Sequence, residues 1–298
     1  MNKKPFLLLL LLLLLGCTPS ASSPSPIPSE ANTASPIPTD VQNLAPLRLA
    51  MLAEPTSANV WALWDKEGAS YENYAIRGNY YPRLYRLAPP NNELMPLLAE
   101  GEPSPFIQEG EFYTSVVSLR ANLQWSDTTP LTAEDVAFTI NTALQFQLGL
   151  NWANFYPREK LHHAEAVNAE AVKYYFASPP HIGEWQYGTL TGVFISHAYW
   201  QPKIAEIEDL LPQPEDDRLM ESYQAEIDAL QAEAETIAEY MKTLKEKSMA
   251  YRGQEQLLID REVRRDSFKK KLALAQQEKR EKLIAARSAL YALEDDHE

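Results

Sequence analysis

Apolar positions recur in three patterns along this chain, and each marks off a different kind of segment. Residues 6–15, Phe6 followed by nine leucines, form an unbroken apolar run behind Lys3 and Lys4. Spanning a bilayer takes about 20 apolar residues, so the run is too short to cross; its cationic lead and small followers give it the shape of a secretory signal. From Leu47 the pattern changes to alternation. Leu47, Leu49 and Met51 predict a short strand that stops at Glu54-Pro55. A loop, a helix near Ser70 to Asn79, a tyrosine-rich turn around Pro82 and a link over residues 91–103 are expected next. Tyr113, Ser115, Val117 and Leu119 alternate again, and Leu123 and Trp125 keep the same phase. Val136, Ile140, Ala143 and Leu144 then share one helical face.

The third pattern is a seam spaced by threes and fours. It runs through Met220, Tyr223, Ile227, Leu230, Ala234, Ile237, Met241, Leu244, Ser248 and Tyr251. It falters at Arg252-Gly253-Gln254 and resumes, thinner, at Leu272, Leu283, Ala286, Leu290 and Leu293, with Gln276 and Lys279 interrupting. Two arms of roughly 50 Å each are expected at 1.5 Å per residue. An antiparallel hairpin turning at Gly253 is one arrangement. A coiled coil with a partner and a long solvated helix are the others. The hairpin is the expectation, because it sets Leu283, Leu290 and Leu293 near Met220 to Leu230, and Leu272 near Ile237 and Met241. It also faces the basic stretch Lys269–Lys282 with the acidic stretch Glu226–Glu239. A hairpin returns the chain to where it left, the geometry of an insertion whose ends are already close.

Between strand and helix stands Trp125-Ser-Asp-Thr-Thr-Pro-Leu-Thr-Ala-Glu-Asp-Val136. Ser126 to Pro130 is turn chemistry. Thr132 is a good N-cap, and Asp135 three residues on completes an acidic capping box. Glu134 and Asp135 also sit where the helix dipole favours negative charge.

Composition changes the picture at the two ends of the chain. Residues 18–46 are mostly Ser, Pro, Thr and Ala, which cannot bury enough apolar surface to offset ordering; they are expected to be an extended tether. About 250 residues remain, enough for one or two domains. A net charge of −14 and a pI near 4.9 argue against nucleic acid and against electrostatic binding to anionic lipid. Cys17 is the single cysteine, so no internal disulfide forms. Leu14-Leu15-Gly16-Cys17 resembles the lipobox of bacterial lipoproteins, with Leu15 where a small residue is usual. The resemblance implies removal of residues 1–16 and a lipid anchor on Cys17, and the attached chains would hold the protein stably on a membrane.

The segment from Trp125 to Val136 resembles the signature of family 5 extracellular solute-binding proteins, the oligopeptide-, dipeptide- and nickel-binding components of ABC importers. Trp125, Asp127, Pro130, Leu131, Thr132, Ala133, Glu134, Asp135 and Val136 match it. Thr128 stands where the family has glycine, the residue that tolerates positive φ. Weaker likenesses lie in order at residues 47–62, 80–87, 164–176 and 193–204, so the resemblance covers about residues 47–205. It implies an α/β fold, an incomplete periplasmic-binding-protein type II lobe over residues 47–212, followed here by a helical coiled-coil hairpin over residues 213–298. It implies capture of peptides or other small solutes for ABC permease subunits at the outer face of the bacterial cytoplasmic membrane, with no catalysis and no cofactor. Family members run to about twice this length, so a truncated frame or a one-lobed protein is expected.

The family's cleft is lined by the loop after the first strand and by nearby aromatics. Here these are Asn59, Trp61, Tyr81, Tyr85 and Trp185. Aromatic walls and amide side chains suit peptides held through their backbone. The alternative for each aromatic is a place in the core. His162, His163 and Glu165 lack the spacing of a zinc cluster and are read as solvent-facing, as is the terminal Glu-Asp-Asp-His-Glu. A second function class stays open: a surface-anchored interaction or scaffold protein in which the coil is the active part.

Overall fold

The structure, a computed structural model, describes residues 50, 59–65 and 80–293. The signal run, Cys17, the tether, the helix near 70–79, the acidic tail and nearly all of the strand from Leu47 lie outside those residues.

The centre of the lobe is an antiparallel sheet in the order β3 (Ile107–Glu109), β4 (Phe112–Ser118), β6 (Ala171–Phe176), β5 (Leu161–Asn168). Alternation sets its faces. Ser115, Val117 and the following Leu119 are buried, as are Val172, Tyr174 and Phe176 on β6. Lys173 and Tyr175 look the other way, because successive side chains on a strand alternate. Leu123 and Trp125 are partly buried against the core, but they do not extend β4. Asn122, at φ 58°, turns the chain first, and only Gln124 then pairs, with Pro130. A second ribbon joins β1 (Tyr85–Ala88) to β2 (Glu93–Pro96). The sequence pattern reads that second segment as a link, since four residues ending in proline show no period.

Helix α1 (Val60–Leu63) stands alone between undescribed stretches. Helix α2 (Ala133–Gln145) lies on the sheet and buries Val136, Ile140 and Ala143. Its Asn141 amide exchanges two hydrogen bonds with the backbone of Ala164 on β5, at 2.9 and 3.0 Å. Helices α3 (Leu150–Phe155), α4 (Ile182–Trp185) and α5 (His197–Ala205) add Trp152, Trp185, Trp200 and Ile204 to the core. Phe106, Tyr174 and Phe176 meet Trp185 edge-on, with ring centroids 5.0 to 5.7 Å apart.

A hairpin follows, made of α6 (Pro214–Met241, 28 residues) and α7 (Met249–Ala292, 44 residues). It does not turn at Gly253, which lies inside α7 with open space around it. The turn is at residues 242–248. Lys247 takes φ 60°, and the Ser248 hydroxyl accepts from Tyr251 N at 3.1 Å to cap α7. A glycine costs a helix about 1 kcal/mol, which a long exposed helix absorbs, while a left-handed residue followed by an N-cap ends one arm and starts the next. Leu244 and Ser248 therefore leave the seam, and Tyr251 belongs to the second arm.

An earlier turn shifts the pairing by twice the displacement. Arg261 meets Glu233, Arg265 meets Gln231, and Lys279 meets Asp217. Lys282 Nζ lies 2.7 Å from Asp216 Oδ1. Opposite charges do face each other, but about four helical turns from the expected register. Ile227, Leu230 and Ala234 are buried in the seam. Arg261 and Arg265 occupy facing positions on α7, packing their stems and turning their heads out to polar partners. Leu283, Ala286 and Leu290 run past the start of α6 and join the core of the lobe. Cysteines replacing Glu233 and Arg261, in a Cys17→Ser background, should crosslink within one chain at high dilution. A pair at Ile227 and Leu283 should not, and the reverse outcome would restore the Gly253 register.

Candidate functional site

The signature segment folds into a latch. Thr128 N donates to Trp125 O at 3.0 Å, and Asp127 Oδ1 accepts from Thr129 N at 2.9 Å. Thr132 caps α2 in a complete capping box. Asp135 does more than complete the box. Its Oδ2 accepts from Thr132 N at 2.7 Å and from the Trp125 indole at 3.3 Å, and its Oδ1 accepts from His197 N at 2.7 Å. One carboxylate thus ties the turn, the start of α2 and the start of α5. Thr139 continues the tie: its hydroxyl donates to Asp135 O at 2.7 Å and accepts from Ile195 N at 3.0 Å. Burial raises the Asp135 pKa above its ordinary value, and the three donors oppose that only in part.

Thr128 adopts φ 72° in this turn. A β-branched residue there is strained by roughly 1–2 kcal/mol. Thr128→Gly is expected to raise stability by about 1 kcal/mol, less than the full strain because glycine also loosens the unfolded chain. A urea midpoint that does not move would show the turn to be relaxed.

The residues expected to face a ligand are mostly committed elsewhere. Asn59 is buried; its Oδ1 caps α1 through Trp61 N and Ala62 N, and its Nδ2 donates to Leu290 O at 3.0 Å and Leu293 O at 2.7 Å. Trp61 packs against Trp152 at 5.2 Å and Trp200 at 6.0 Å, fully buried. Tyr85 is buried and donates to Gly101 O at 2.7 Å; burial raises its hydroxyl pKa, with Glu102 adding to the shift. Trp185 is 8% exposed. Tyr81 alone of the five is half-exposed, packed at the edge of the core. The same aromatic layer holds Tyr156, whose hydroxyl donates to Val193 O at 2.7 Å, and Arg83, whose guanidinium lies 5.5 Å from both Trp64 and Phe155.

A separate open groove of about 560 Å³ runs between α2, β5 and α5, lined in part by Glu134, Phe138, Asn141, Glu165, His197 and Glu208. None of the five expected residues lines it. Its carboxylates suit a cationic group better than the apolar lining of most small-molecule pockets would. The sequence signal for it is faint: Glu134 and Phe138 stand one turn apart on α2, a spacing shared by every amphipathic helix. Among the described residues no group of three or more histidine, cysteine, aspartate or glutamate side chains gathers to hold a metal ion. No described helix is long and apolar enough to cross a membrane.

A family model described as bacterial extracellular solute-binding proteins, family 5 Middle, matches residues 93–246. Among solved structures, the chain is similar to the periplasmic oligopeptide-binding protein of an ABC transporter from Thermotoga maritima. Identity is 28% over 41% of this chain and 21% of that one, with a TM-score of 0.34. It is also similar to the ABC transporter substrate-binding protein CtaP of Listeria monocytogenes, at 24% identity over 43% of this chain and 25% of that one, TM-score 0.34. A third is DppA of Helicobacter pylori, solved with the peptide STSA, at 15% identity over 50% of this chain and 31% of that one, TM-score 0.36. The chain thus spans about a fifth to a third of the length of these structures. No curated protein matches it.

Proposed function

Because the chain belongs to family 5 of the bacterial extracellular solute-binding proteins, we propose that it captures solute for an ABC importer, most plainly peptides, and delivers it to permease subunits. The family match over residues 93–246, which contains the signature latch, carries this reading. The role is binding without catalysis. The leucine run before Gly16-Cys17 supports a lipid anchor at Cys17, holding the protein at the outer face of the cytoplasmic membrane on the tether of residues 18–46. Tyr81 is the proposed ligand wall among the five residues named above, because its side chain keeps an exposed edge.

The test uses the full chain expressed in a bacterium. The wild type should sediment with membranes, and Cys17→Ser should be released. Short peptides at about 100 times Kd should stabilise the released protein by about 2.7 kcal/mol, and Tyr81→Ala should reduce that stabilisation. Membrane retention of Cys17→Ser would overturn the anchor. Absence of any peptide-induced shift across a di- to hexapeptide mixture would overturn peptide capture.

A second reading, a surface interaction protein, is favoured by the apolar side chains that the hairpin exposes, among them Val263 at 64% and Leu274 at 57%. Failure of peptide binding with an intact anchor would select it.

A further inference from the structure

The outer face of the sheet carries a feature outside the residues proposed above for solute capture. His162 and His163 are neighbours on β5 and should point to opposite faces of the sheet. They do not. A β-bulge lies between Leu161, paired with Phe176, and His163, paired with Tyr175. Leu161 and Ala164 stay buried, and both imidazoles between them come out on one side. Bulges re-aim side chains in this way beside functional sites. Here the two Nδ1 atoms end 2.7 Å apart.

The surroundings hold that geometry. Phe112 lies against both rings, with centroids 4.8 Å from His162 and 5.9 Å from His163. His163 stacks on Tyr175 at 4.1 Å and 10°. Its Nε2 lies 3.3 Å from Glu165 Oε1, and the Tyr175 hydroxyl fixes that carboxylate through Oε2 at 2.8 Å. A carboxylate on Nε2 selects the tautomer whose Nδ1 bears a lone pair, the arrangement found behind metal-bound histidines. The second imidazole nitrogen, His162 Nδ1, lies 2.7 Å from that atom.

We propose that His162 Nδ1 and His163 Nδ1 form a two-nitrogen chelate for a late first-row divalent ion, copper(II) foremost, with Glu165 as the orienting carboxylate and water in the other positions. Two nitrogens 2.7 Å apart, each about 2.0–2.1 Å from one ion, subtend about 80° there. That is nearer the right angle of square-planar or octahedral sites than the tetrahedral angle, so the geometry suits copper(II) or nickel(II) over zinc. Copper(II) also stands highest in the general affinity order.

The experiment is a copper(II) titration of the full chain near pH 7 against a weak competing chelator, followed by calorimetry and electron paramagnetic resonance. One ion per chain is expected, with two equatorial nitrogens in the spectrum. His162→Ala and His163→Ala should each weaken binding by at least about tenfold, since losing even an outer-shell partner costs about 10–100-fold. Each should also remove one nitrogen. Glu165→Gln should keep both nitrogens and lower the affinity. His181→Ala, on the loop before α4, should change nothing. Unchanged affinity in His162→Ala, or no retained copper in the wild type, would leave a plain imidazole–imidazole hydrogen bond and overturn the site.

Discussion

Asp135→Ala is expected to cost about 3–4 kcal/mol. Three donors converge on that carboxylate: Thr132 N, the Trp125 indole and His197 N. Removing it strands them in a place where Asp135 itself is 4% exposed. Each unsatisfied buried donor costs about 1–3 kcal/mol, with partial relief where water can enter. A domain of this kind is stable by about 5–15 kcal/mol in total, so the variant should unfold at a far lower urea concentration. Asp135→Asn should cost less. Its oxygen can serve Thr132 N and Trp125, but its amide then faces the His197 N–H, donor against donor.

The pH dependence follows from the sign of the shift. The folded pKa of Asp135 is raised above its ordinary value of 3.8, first by burial. The contribution of this titration to stability is therefore fully present below about pH 3.8 and is lost as pH rises through the folded pKa. In the Asn variant that loss should vanish, flattening the stability profile across the acid range. A profile parallel to the wild type would mean that the carboxylate ionises as freely in the fold as in the unfolded chain.

This latch was legible because its information is local. Thr132, Asp135 and Pro130 announce a capped helix within six residues. Asp135 reaching His197, 62 positions away, leaves no mark in a local pattern. The strand β4 was readable for the same reason, since alternation belongs to each strand separately, whereas β5 and β6 entered only through the family likeness over residues 164–176. The hairpin was legible as a seam but not in register. Gly253 is the conspicuous residue of that region, yet Lys247 and Ser248 make the turn, and a turn displaced by a few residues moves every pair by twice as many. The arginines at seam positions, Arg261 and Arg265, hide the second arm from an apolar count. The five aromatic-loop residues illustrate a harder limit. Nothing in Trp61 or Tyr85 as letters separates a cleft wall from a core filler, because both uses call for large flat side chains.

Trp61→Ala is the substitution that separates those uses, with an expected loss of about 3–5 kcal/mol for emptying a buried tryptophan site. The indole is fully buried between Trp152 and Trp200. The Trp152 indole also donates to Trp61 O at 2.9 Å, so the cavity would open beside a buried hydrogen bond. The segment around it joins two parts of the molecule. Asn59 holds the end of α7 through Leu290 O and Leu293 O, and Asp65 accepts from Gly149 N at 3.3 Å and from the Tyr291 hydroxyl. Loosening α1 should therefore also loosen the hairpin's attachment, seen as faster amide exchange near residues 283–293. Trp61→Phe should cost roughly half as much or less. It leaves a smaller cavity and removes an indole N–H that has no hydrogen-bond partner among the described residues. Loss of peptide binding with stability intact in Trp61→Ala would make Trp61 a ligand wall. Loss of stability, with peptide binding retained by Trp61→Phe, makes it the core residue on which the end of the hairpin is seated.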